Sequence, residues 1–392
     1  MVRKYIGYLL IFIAAFIVIV VAYLNSNVSN QTPTFSSYTL LTSSFEAYKK
    51  QFLNSDGRII DTSQNNITTS EAQSYALLRA VWTDDKTTFD QVWRWTLDDM
   101  KRPNDNLFAW QWGKLPNGKY GALPNGGINS ATDADTDIAL ALVLAAHRWN
   151  NSSYLTAAEK IIPDIWRLES TTANGKRYIT AGNWAVNGNE VVLDPSYFAP
   201  YAYRIFAGID KKDNWLSLIN PGYQMLTDVG NAPLDTGNPV GLPPDWVTIQ
   251  KDNGALKVTS LPNTTTDYSF DAMRVPFRIA LDYYWNKDAQ AKTYLLNSYS
   301  FLLNQYQTNH MLAGSYKHDG KPSLTQENPI MYSSSIGYFM LANPAVAKDI
   351  YNNKILKLYS NDRNSFNNNL GYYEQNWLWF GAAMFNGYLH NY

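Results

Sequence analysis

The segment Ser130–Trp149, SATDADTDIALALVLAAHRW, decides the fold class of this chain. Its apolar residues recur at i, i+3 and i+4 spacing, which predicts an α-helix. Three aspartates, Asp133, Asp135 and Asp137, stand at alternate positions where the helix begins. They cannot all cap the helix, and like charges this close are unfavourable unless they are solvated or used. A calcium loop of the EF-hand type is rejected, because Ile138 stands where that loop has glycine and the distal glutamate is missing.

The same periodicity recurs along the chain, in Glu71–Trp82, Tyr154–Leu168 and around Val275–Trp285. Loops rich in Gly, Pro and Asn separate these segments and leave room for a few short strands. Helices of this length allow roughly a dozen in residues 38–392. No linker or charge run divides this region, so we predict one all-α domain with long loops. A solenoid and a closed ring of helical hairpins both satisfy this pattern.

The composition excludes several classes of protein. Of 392 residues, 45% are hydrophobic and 17% charged, so a sizeable core is expected. The net charge of -1 argues against nucleic acid as a partner. The chain has no cysteine and only 4 histidines, none in a paired ligand spacing, so we expect no metal and no cofactor. The 13 Trp and 28 Tyr suit either a carbohydrate-binding surface or a large aromatic core.

The N-terminal residues predict a membrane anchor. Tyr5–Leu24 carries no charge and matches the roughly 20 residues needed to span a bilayer. Arg3 and Lys4 precede it, so residues 1–25 are predicted to be a signal anchor with the N-terminus in the cytoplasm. A cleaved signal peptide followed by secretion is the alternative. Residues 26–37 are predicted to be a polar stalk, and residues 38–392 an extracytoplasmic domain.

Two further acidic residues lie at predicted helix starts. Ser70 followed by Gln73 matches a capping box, which places Glu71 in the first turn of a helix. Taken alone, Glu71 is most simply explained by interaction with the helix dipole. Asp271 stands shortly before Pro276, a residue typical of a first turn, and taken alone it is most simply explained as an ion-pair partner of a following arginine.

The acids at the three predicted helix starts are more informative when they are considered together. If the inner helices of a ring run parallel, their first turns meet at one end. Glu71, Asp133 and Asp271 are spaced by whole helical hairpins and loops, so we expect them to share one cleft.

Six segments, in this order, resemble those of glycoside hydrolase family 8: TSEAQSYALLRAVW, SATDADTDIALALVLAAHRW, LDPSYFAPYAYRIFA, GLPPDW, YSFDAMRVPFRIALDYYW and YYEQNWLWFG. The resemblance spans about Phe45–Gly381 and implies an (α/α)6 barrel. It also implies an inverting, endo-acting hydrolase of a β-1,4-linked polysaccharide, most simply of the cellulose or β-glucan type. By resemblance Glu71 is the general acid, Asp271 the general base, and Asp133 holds the distorted sugar.

The sequence departs from the family pattern at several positions. Alanine replaces the usual glycine at two places, an arginine replaces an apolar residue, and the last motif is more aromatic; these residues are Ala72, Ala76, Arg79, Trp377, Trp379 and Phe380. None of these changes removes a predicted catalytic group. They concern the choice of substrate more than activity.

Aromatic residues near the acidic clusters are candidates for stacking on sugar rings, although each also fits a core position: Tyr75, Trp110, Trp112, Tyr197, Trp246 and Tyr268. A turn-rich setting favours Trp110 and Trp112. Arg274 is expected to orient or pair with the base, and Tyr197 to position the attacking water. A general acid near neutral pH needs a raised pKa. For Glu71 we expect burial and the charge of Asp133 to raise it against the helix dipole.

Several alternatives stay open at this stage. The same enzyme class acting on chitosan or xylan is one. A catalytically inactive, membrane-tethered polysaccharide-binding protein, belonging to an exopolysaccharide synthesis assembly, is another. A lyase or phosphorylase of the same fold is a third, although the sequence offers no clear set of residues for either.

Overall fold

The computed structural model describes residues 37–367 and 369–392. The predicted anchor, residues 1–25, and almost all of the predicted stalk lie outside the described residues. Within the described part, no helix has the length and apolar character needed to cross a bilayer. Leu40–Tyr392 form one compact unit.

The described part is mostly helical and contains thirteen α-helices: α1 Ser37–Phe52, α2 Ser70–Thr83, α3 Lys86–Trp95, α4 Thr132–Arg148, α5 Ser152–Leu168, α6 Pro200–Ile209, α7 Ile219–Asn231, α8 Val275–Asn286, α9 Ala289–Ser298, α10 Ser300–Asn309, α11 Pro329–Ala342, α12 Pro344–Ile350 and α13 Tyr372–Phe385.

Six of these helices form a closed inner ring. In chain order α2, α4, α6, α8, α11 and α13 each contact the next, and α13 returns to contact α2. The intervening helices pack outside, as α3 does against α2, α5 against α4, α9 against α8 and α12 against α11. Helix α1 closes the outer layer over α13, where Trp379 Nε1 donates to Leu41 O at 2.9 Å. This alternation confirms the predicted (α/α)6 barrel and excludes the solenoid.

Strands are short and lie in the loops that connect the helices: β1 Thr68–Thr69, β2 Gln111–Lys114, β3 Tyr120–Ala122, β4 Ser170–Ala173, β5 Lys176–Ile179, β6 Val186–Asn187, β7 Glu190–Leu193, β8 Val247–Gln250, β9 Leu256–Lys257, β10 Ser315–Tyr316, β11 Pro322–Leu324, β12 Tyr359–Ser360 and β13 Ser365–Phe366.

Two small antiparallel sheets hold the residues that precede inner helices. The first has the order β1-β2-β3, and β1 leads directly into α2. The second has the order β6-β7-β8-β9. In it β7 ends one residue before Asp194, and β8 begins one residue after Trp246. Backbone hydrogen bonds in these ladders fix the approach to each helix start.

Most of the inner helices are buried over most of their length, which explains their weak amphipathic pattern; α6, with five of its ten residues buried, is the exception. Thirteen of the fourteen residues of α2 are buried. Gly381 permits the close crossing of α11 and α13, since a Cβ there would lie 2.6 Å from Ser333 Cβ. A helix that is surrounded by other helices has no solvent-exposed face and therefore needs no polar stripe.

Two departures from the family pattern contact each other in this core. Arg79 is fully buried and lies over the ring of Trp379, with 5.1 Å from Cζ to the ring centroid. The rings of Phe45 and Tyr48 also face it. Its Nη1 donates to Asn376 Oδ1 at 2.9 Å, and burial lowers the pKa of Arg79 to about 9. The aromatic rings around Arg79, including the additional ring of Trp379, therefore stabilise its buried positive charge.

The predicted start of α2 needs correction. The N-cap is Thr69, whose Oγ1 accepts from Ala72 N at 3.1 Å, and Ser70 is the first helical residue. Gln73 turns inward, where its Oε1 accepts from Ile59 N at 2.7 Å, so it makes no capping box. Glu71 nevertheless stands in the first turn, as expected.

Candidate active site

The inner helices begin around a cleft of about 590 Å³ at one end of the barrel. Its charged lining residues are Glu71, Asp133, Asp271 and Arg274. Its other lining residues are uncharged: Gln64, Thr69, Ser70, Trp110, Gln111, Asn125, Gly126, Asn129, Ser130, Ala131, Ala181, Trp184, Tyr197, Trp246, Leu261, Pro262, Asn263, Thr264 and Tyr372.

Arg274 organises the acids at the floor of this cleft. Its Nη1 donates to Glu71 Oε2 at 2.8 Å and to Asp133 Oδ2 at 2.9 Å. Its Nη2 donates to Asp271 Oδ1 at 2.7 Å and to Asp194 Oδ2 at 3.0 Å. One buried guanidinium thus joins carboxyls from four helix starts. The planar fork of arginine suits such multiple binding, which a lysine ammonium would not reproduce.

Glu71 has the environment of a carboxylic acid that is protonated near neutral pH. Its Oε1 accepts from Tyr372 Oη at 2.9 Å, and its Oε2 accepts from Tyr75 Oη at 3.2 Å as well as from Arg274. Burial raises the pKa of Glu71 to about 7, opposed by Arg274 and assisted by Asp133 and Asp271. Burial is therefore the main cause of the raised pKa, and the charge of Asp133 contributes, as the sequence argument required.

Asp271 is the more accessible carboxylate. Its side chain is 33% exposed, whereas that of Glu71 is 19% exposed. Asp271 Oδ2 accepts from Trp246 Nε1 at 2.8 Å. It lies just before a short 3-10 turn, Ala272–Arg274, and not inside α8, which begins at Val275. This turn aims both Asp271 and Arg274 into the cleft.

Asp245 holds that turn in place. Its Oδ1 accepts from the backbone N–H groups of Ser269 at 3.1 Å, Asp271 at 3.2 Å and Ala272 at 2.7 Å, and Ser269 Oγ donates to its Oδ2. Burial, followed by the charge of Asp271, raises the pKa of Asp245 to about 7. A side chain that binds three backbone donors within four residues acts as a cap for the segment that carries Asp271.

The three aspartates at the start of α4 point to different partners. Asp133 accepts from Arg274, and Asp137 pairs with Arg278 through two hydrogen bonds of 2.9 Å. Asp135 Oδ1 instead accepts from Phe108 N at 3.0 Å. Alternate helical positions lie on roughly opposite faces, so each acid meets its own neighbour.

Comparison with known proteins settles the family. Residues 19–378 match the family model described as "Glycosyl hydrolases family 8". The chain belongs to glycosyl hydrolase family 8.

Several curated proteins and solved structures resemble this chain. An endoglucanase from Cellulomonas uda is 32% identical over 237 residues, 60% of this chain and 62% of that protein. Endoglucanase C from Ruminiclostridium cellulolyticum is 30% identical over 342 residues, 84% of this chain and 69% of that protein. The chain thus spans somewhat under two thirds to about seven tenths of the length of these curated relatives. The crystal structure of an endo-1,4-D-glucanase from Vibrio fischeri superposes with a TM-score of 0.72 at 25% identity, covering 87% of this chain and 94% of that one.

Three of the predicted sugar-binding aromatics lie in the cleft of this family 8 protein. Trp110 is 37% exposed, and its Nε1 donates to Gly126 O at 3.0 Å, which fixes the ring at the rim. Trp246 lies beside Asp271, and its ring meets that of Tyr197 edge-on at 6.3 Å. The Tyr197 ring also lies 5.3 Å from Arg274 Cζ. Tyr197 and Trp246 therefore flank the acids directly.

The other three residues that were predicted to stack on sugar rings are core residues, and the prediction that they bind sugar is corrected. Trp112 is buried outside the cleft, between Trp95 and Tyr120, because strand alternation turns it away from the substrate side. Tyr75 is buried beneath Glu71, and Tyr268 is buried against Tyr299. None of the three lines the cleft.

Sequence reasoning missed four residues of the site. Asp194, Asp245 and Tyr372 stand inside segments quoted for the family resemblance, but no local pattern singles them out. Asp194 lies fully buried against Arg274, and burial raises its pKa well above the usual range. Trp184 comes from a loop with no detectable motif. The short strands that end before Asp194 and begin after Trp246 mark this part of the site. They are too short to be recognised from the sequence.

Proposed function

We propose that this protein is an endo-acting glycosidase that cleaves a β-1,4-linked glucan with inversion, with Glu71 as general acid and Asp271 as general base. The observation that carries the proposal is the pair of carboxyls bound to opposite nitrogens of Arg274. One has a pKa of about 7 and the other is the most exposed acid of the site.

The roles follow from this difference in environment. Glu71, protonated near neutral pH, donates its proton to the departing glycosidic oxygen. Asp271 removes a proton from water that attacks the anomeric carbon from the other side. Arg274 bridges one oxygen of Glu71 and one of Asp271, with a hydrogen bond to each from a different nitrogen of the guanidinium group. This leaves room for a water molecule, compatible with the carboxyl spacing of about 6.5–9.5 Å in inverting enzymes.

The neighbours of the two acids complete the mechanism. Arg274 remains cationic while the glycosidic bond breaks, and its guanidinium pairs with Asp271 at 2.7 Å. Trp246 fixes the orientation of Asp271 through its indole N–H. Tyr197 lies beside Trp246 and is placed to bind the attacking water. Asp133 lines the cleft beside both acids and accepts from Arg274, which places it to hold the distorted sugar.

The lining of the cleft favours a neutral polymer. Outside the four charged residues at its floor, the described lining carries amides, hydroxyls and aromatic rings, which suit sugar hydroxyls and their apolar ring faces. A cationic polymer such as chitosan would find no further carboxylates there. The relatives named endoglucanase support a β-glucan, while xylan stays the alternative substrate.

We also propose that the enzyme is anchored in the cell membrane with its catalytic domain outside, where it meets a polymer made near the cell surface by a synthesis assembly. The uncharged run Tyr5–Leu24 behind Arg3 and Lys4 supports this location. Immunodetection in washed membranes, with protease sensitivity in intact cells lacking an outer barrier, tests it. Recovery of the whole activity from the culture medium would refute the anchor and support secretion.

Hydrolysis is tested with the full chain purified in detergent and incubated with carboxymethylcellulose, lichenan, chitosan and xylan. Reducing ends from one polymer, lost in Glu71→Gln, are expected, and proton NMR should show the α-anomer first. Retention of the β-anomer would refute inversion. Glucan binding without reducing ends from any polymer would instead support a tethered binding protein without activity.

A further inference from the structure

Directly beneath the cleft lies a second pair of acids, which the reaction outlined above does not use. Asp135 belongs to the first turn of α4, and Glu169 follows the last residue of α5. Both residues are 0% exposed. The carboxyl of Asp135 faces that of Glu169, and the hydroxyls of Ser130 and Thr132 also face Glu169.

The two carboxyls lack enough donors to be ionised together. Asp135 Oδ1 accepts from Phe108 N, but Asp135 Oδ2 and both oxygens of Glu169 accept no well-formed hydrogen bond within the described residues. The Ser130 hydroxyl is already engaged with Asn183 at 3.1 and 3.2 Å. Ionised carboxylates only accept hydrogen bonds, so two of them cannot satisfy each other unless one carries a proton.

The charged groups around the pair offer little neutralisation. Arg102 is the cation that acts on Asp135, but its guanidinium already binds Asp105, Asn183 Oδ1 and Ile128 O. Asp133 adds a like charge to Glu169. The phenol of Tyr203, from α6, also senses Glu169 and is neutral in this range, because burial raises its pKa above the ordinary value.

We propose that Asp135 and Glu169 share one proton in a carboxyl–carboxylate hydrogen bond, and that this bond positions the floor of the substrate cleft. The inference rests on the proposed hydrolase function, because the floor matters only if a sugar binds there. Asp135 and Glu169 are positioning residues in this account, since neither lines the cleft.

The pair joins two segments that reach the cleft. Asp135 holds the backbone N–H of Phe108, two residues before Trp110 at the rim. Glu169 faces the side chains of Ser130 and Thr132, which flank the lining residue Ala131. Trp110 N in turn donates to Asn129 O at 2.8 Å. Repulsion between two ionised acids would therefore act on Trp110 and on the segment 129–133 together.

The pH dependence of this carboxyl–carboxylate hydrogen bond follows from the raised pKa values of Asp135 and Glu169. Burial raises the pKa of Glu169 to about 7, and burial together with Glu169 raises the pKa of Asp135 well above its usual range. Groups with raised pKa contribute stability at low pH, which is lost as the pH rises through the folded-state value. The floor is thus held firmly in acid and neutral solution and loosens on the alkaline side. The proton belongs to the pair and not to one residue.

The test measures binding and not turnover, in Glu71→Gln protein, where residue 71 no longer titrates. Calorimetric affinity for a cello-oligosaccharide is expected to fall by roughly tenfold from neutral pH to about pH 9. Adding Glu169→Gln supplies a permanent amide donor, and most of the fall should then disappear, leaving only the part due to other groups such as Asp245. Glu159→Gln, an exposed position on the same helix α5, is the matched control and should leave the fall intact.

A spectroscopic readout separates this inference from the proposed function. The infrared spectrum of the wild-type protein at neutral pH should contain a carbonyl band of a protonated carboxylic acid that Glu169→Gln removes and Glu159→Gln retains. If Glu169→Gln fails to fold, Asp135→Asn takes its place. An alkaline fall in affinity that survives both substitutions, or no band assignable to the pair, would overturn the proposal. Absence of hydrolysis by the wild type, with the band present, would refute only the hydrolase function.

Discussion

Replacing Tyr372 by Phe should move the alkaline limit of activity to higher pH. Tyr372 Oη donates to Glu71 Oε1 at 2.9 Å, and this hydrogen bond stabilises the ionised acid. Together with Arg274 it opposes the effect of burial on the pKa of Glu71, which is about 7 in the wild type. Tyr372→Phe removes the donor and keeps the ring, so the pKa of Glu71 must rise.

The magnitude can be worked from the site. A hydrogen bond to a charged group contributes about 1.5–3 kcal/mol, and one pKa unit corresponds to about 1.4 kcal/mol. Because the Glu71 side chain is 19% exposed, water partly replaces the lost donor, and the lower end applies. We expect a rise of about one unit, from about 7 to about 8. Since the reaction needs Glu71 protonated, activity then persists to higher pH.

The assay is the pH profile of kcat/KM on a soluble β-glucan, which reports ionisation in the free enzyme. Tyr373→Phe is the matched control, because the Tyr373 hydroxyl donates to Phe270 O and not to Glu71. An alkaline limb that stays in place in Tyr372→Phe, or moves to lower pH, would refute the assignment of Glu71 as the acid. An equal shift in the control would show that the effect is not specific to the hydrogen bond.

Three further predictions follow from the site. Asp271→Asn should lower kcat by about 10²–10⁴-fold with glucan affinity preserved by calorimetry, and loss of binding alone would contradict its role as base. Trp110→Ala should raise KM with little change in the free energy of unfolding. Trp112→Ala should leave KM unchanged and lower the free energy of unfolding, measured in urea, by about 3–5 kcal/mol. The reverse pattern would contradict the placement of the two residues. Arg274→Met should destabilise the protein by about 3–5 kcal/mol near pH 7 and by less near pH 5, because Glu71, whose pKa is about 7, is then neutral. A loss of stability independent of pH would refute the role of Arg274 as counter-ion.

The sequence predicts the fold well because several inner helices contain long apolar runs with helical periodicity. Ser130–Trp149 gives both the start and the direction of α4, and the regular spacing of such segments leads to a ring. The start of α2 was less well predicted, since Thr69 and Ser70 are equally good caps and only the path of the chain through β1 selects between them. Closure of the ring depends on contacts between α13 and α2, which no local pattern contains.

The acids of the site were accessible to sequence reasoning because each stands where an inner helix begins. The aromatic residues were not, since Trp110 and Trp112 stand two positions apart in the same turn-rich segment. One is exposed at the rim and the other is buried against Trp95. Trp112 lies in β2, where pairing with β1 and β3 places it on the face opposite to Gln111, whereas Trp110 precedes the strand and is held by Gly126. These contacts connect residues that are distant in sequence.

The sequence separation of Tyr372 and Glu71 also determines how late in synthesis the hydrogen bond between them can form. These residues are 301 positions apart, which at about 5–20 residues per second corresponds to roughly 15–60 s of synthesis. Until α13 emerges, the seam of the barrel stays open, and α2 and α11 expose the apolar surfaces that α13 later covers. Contacts this distant fold slowly, and an incomplete barrel is prone to aggregate. Nascent chains that stop before Tyr372 thus lack the helix that closes the barrel beside Glu71.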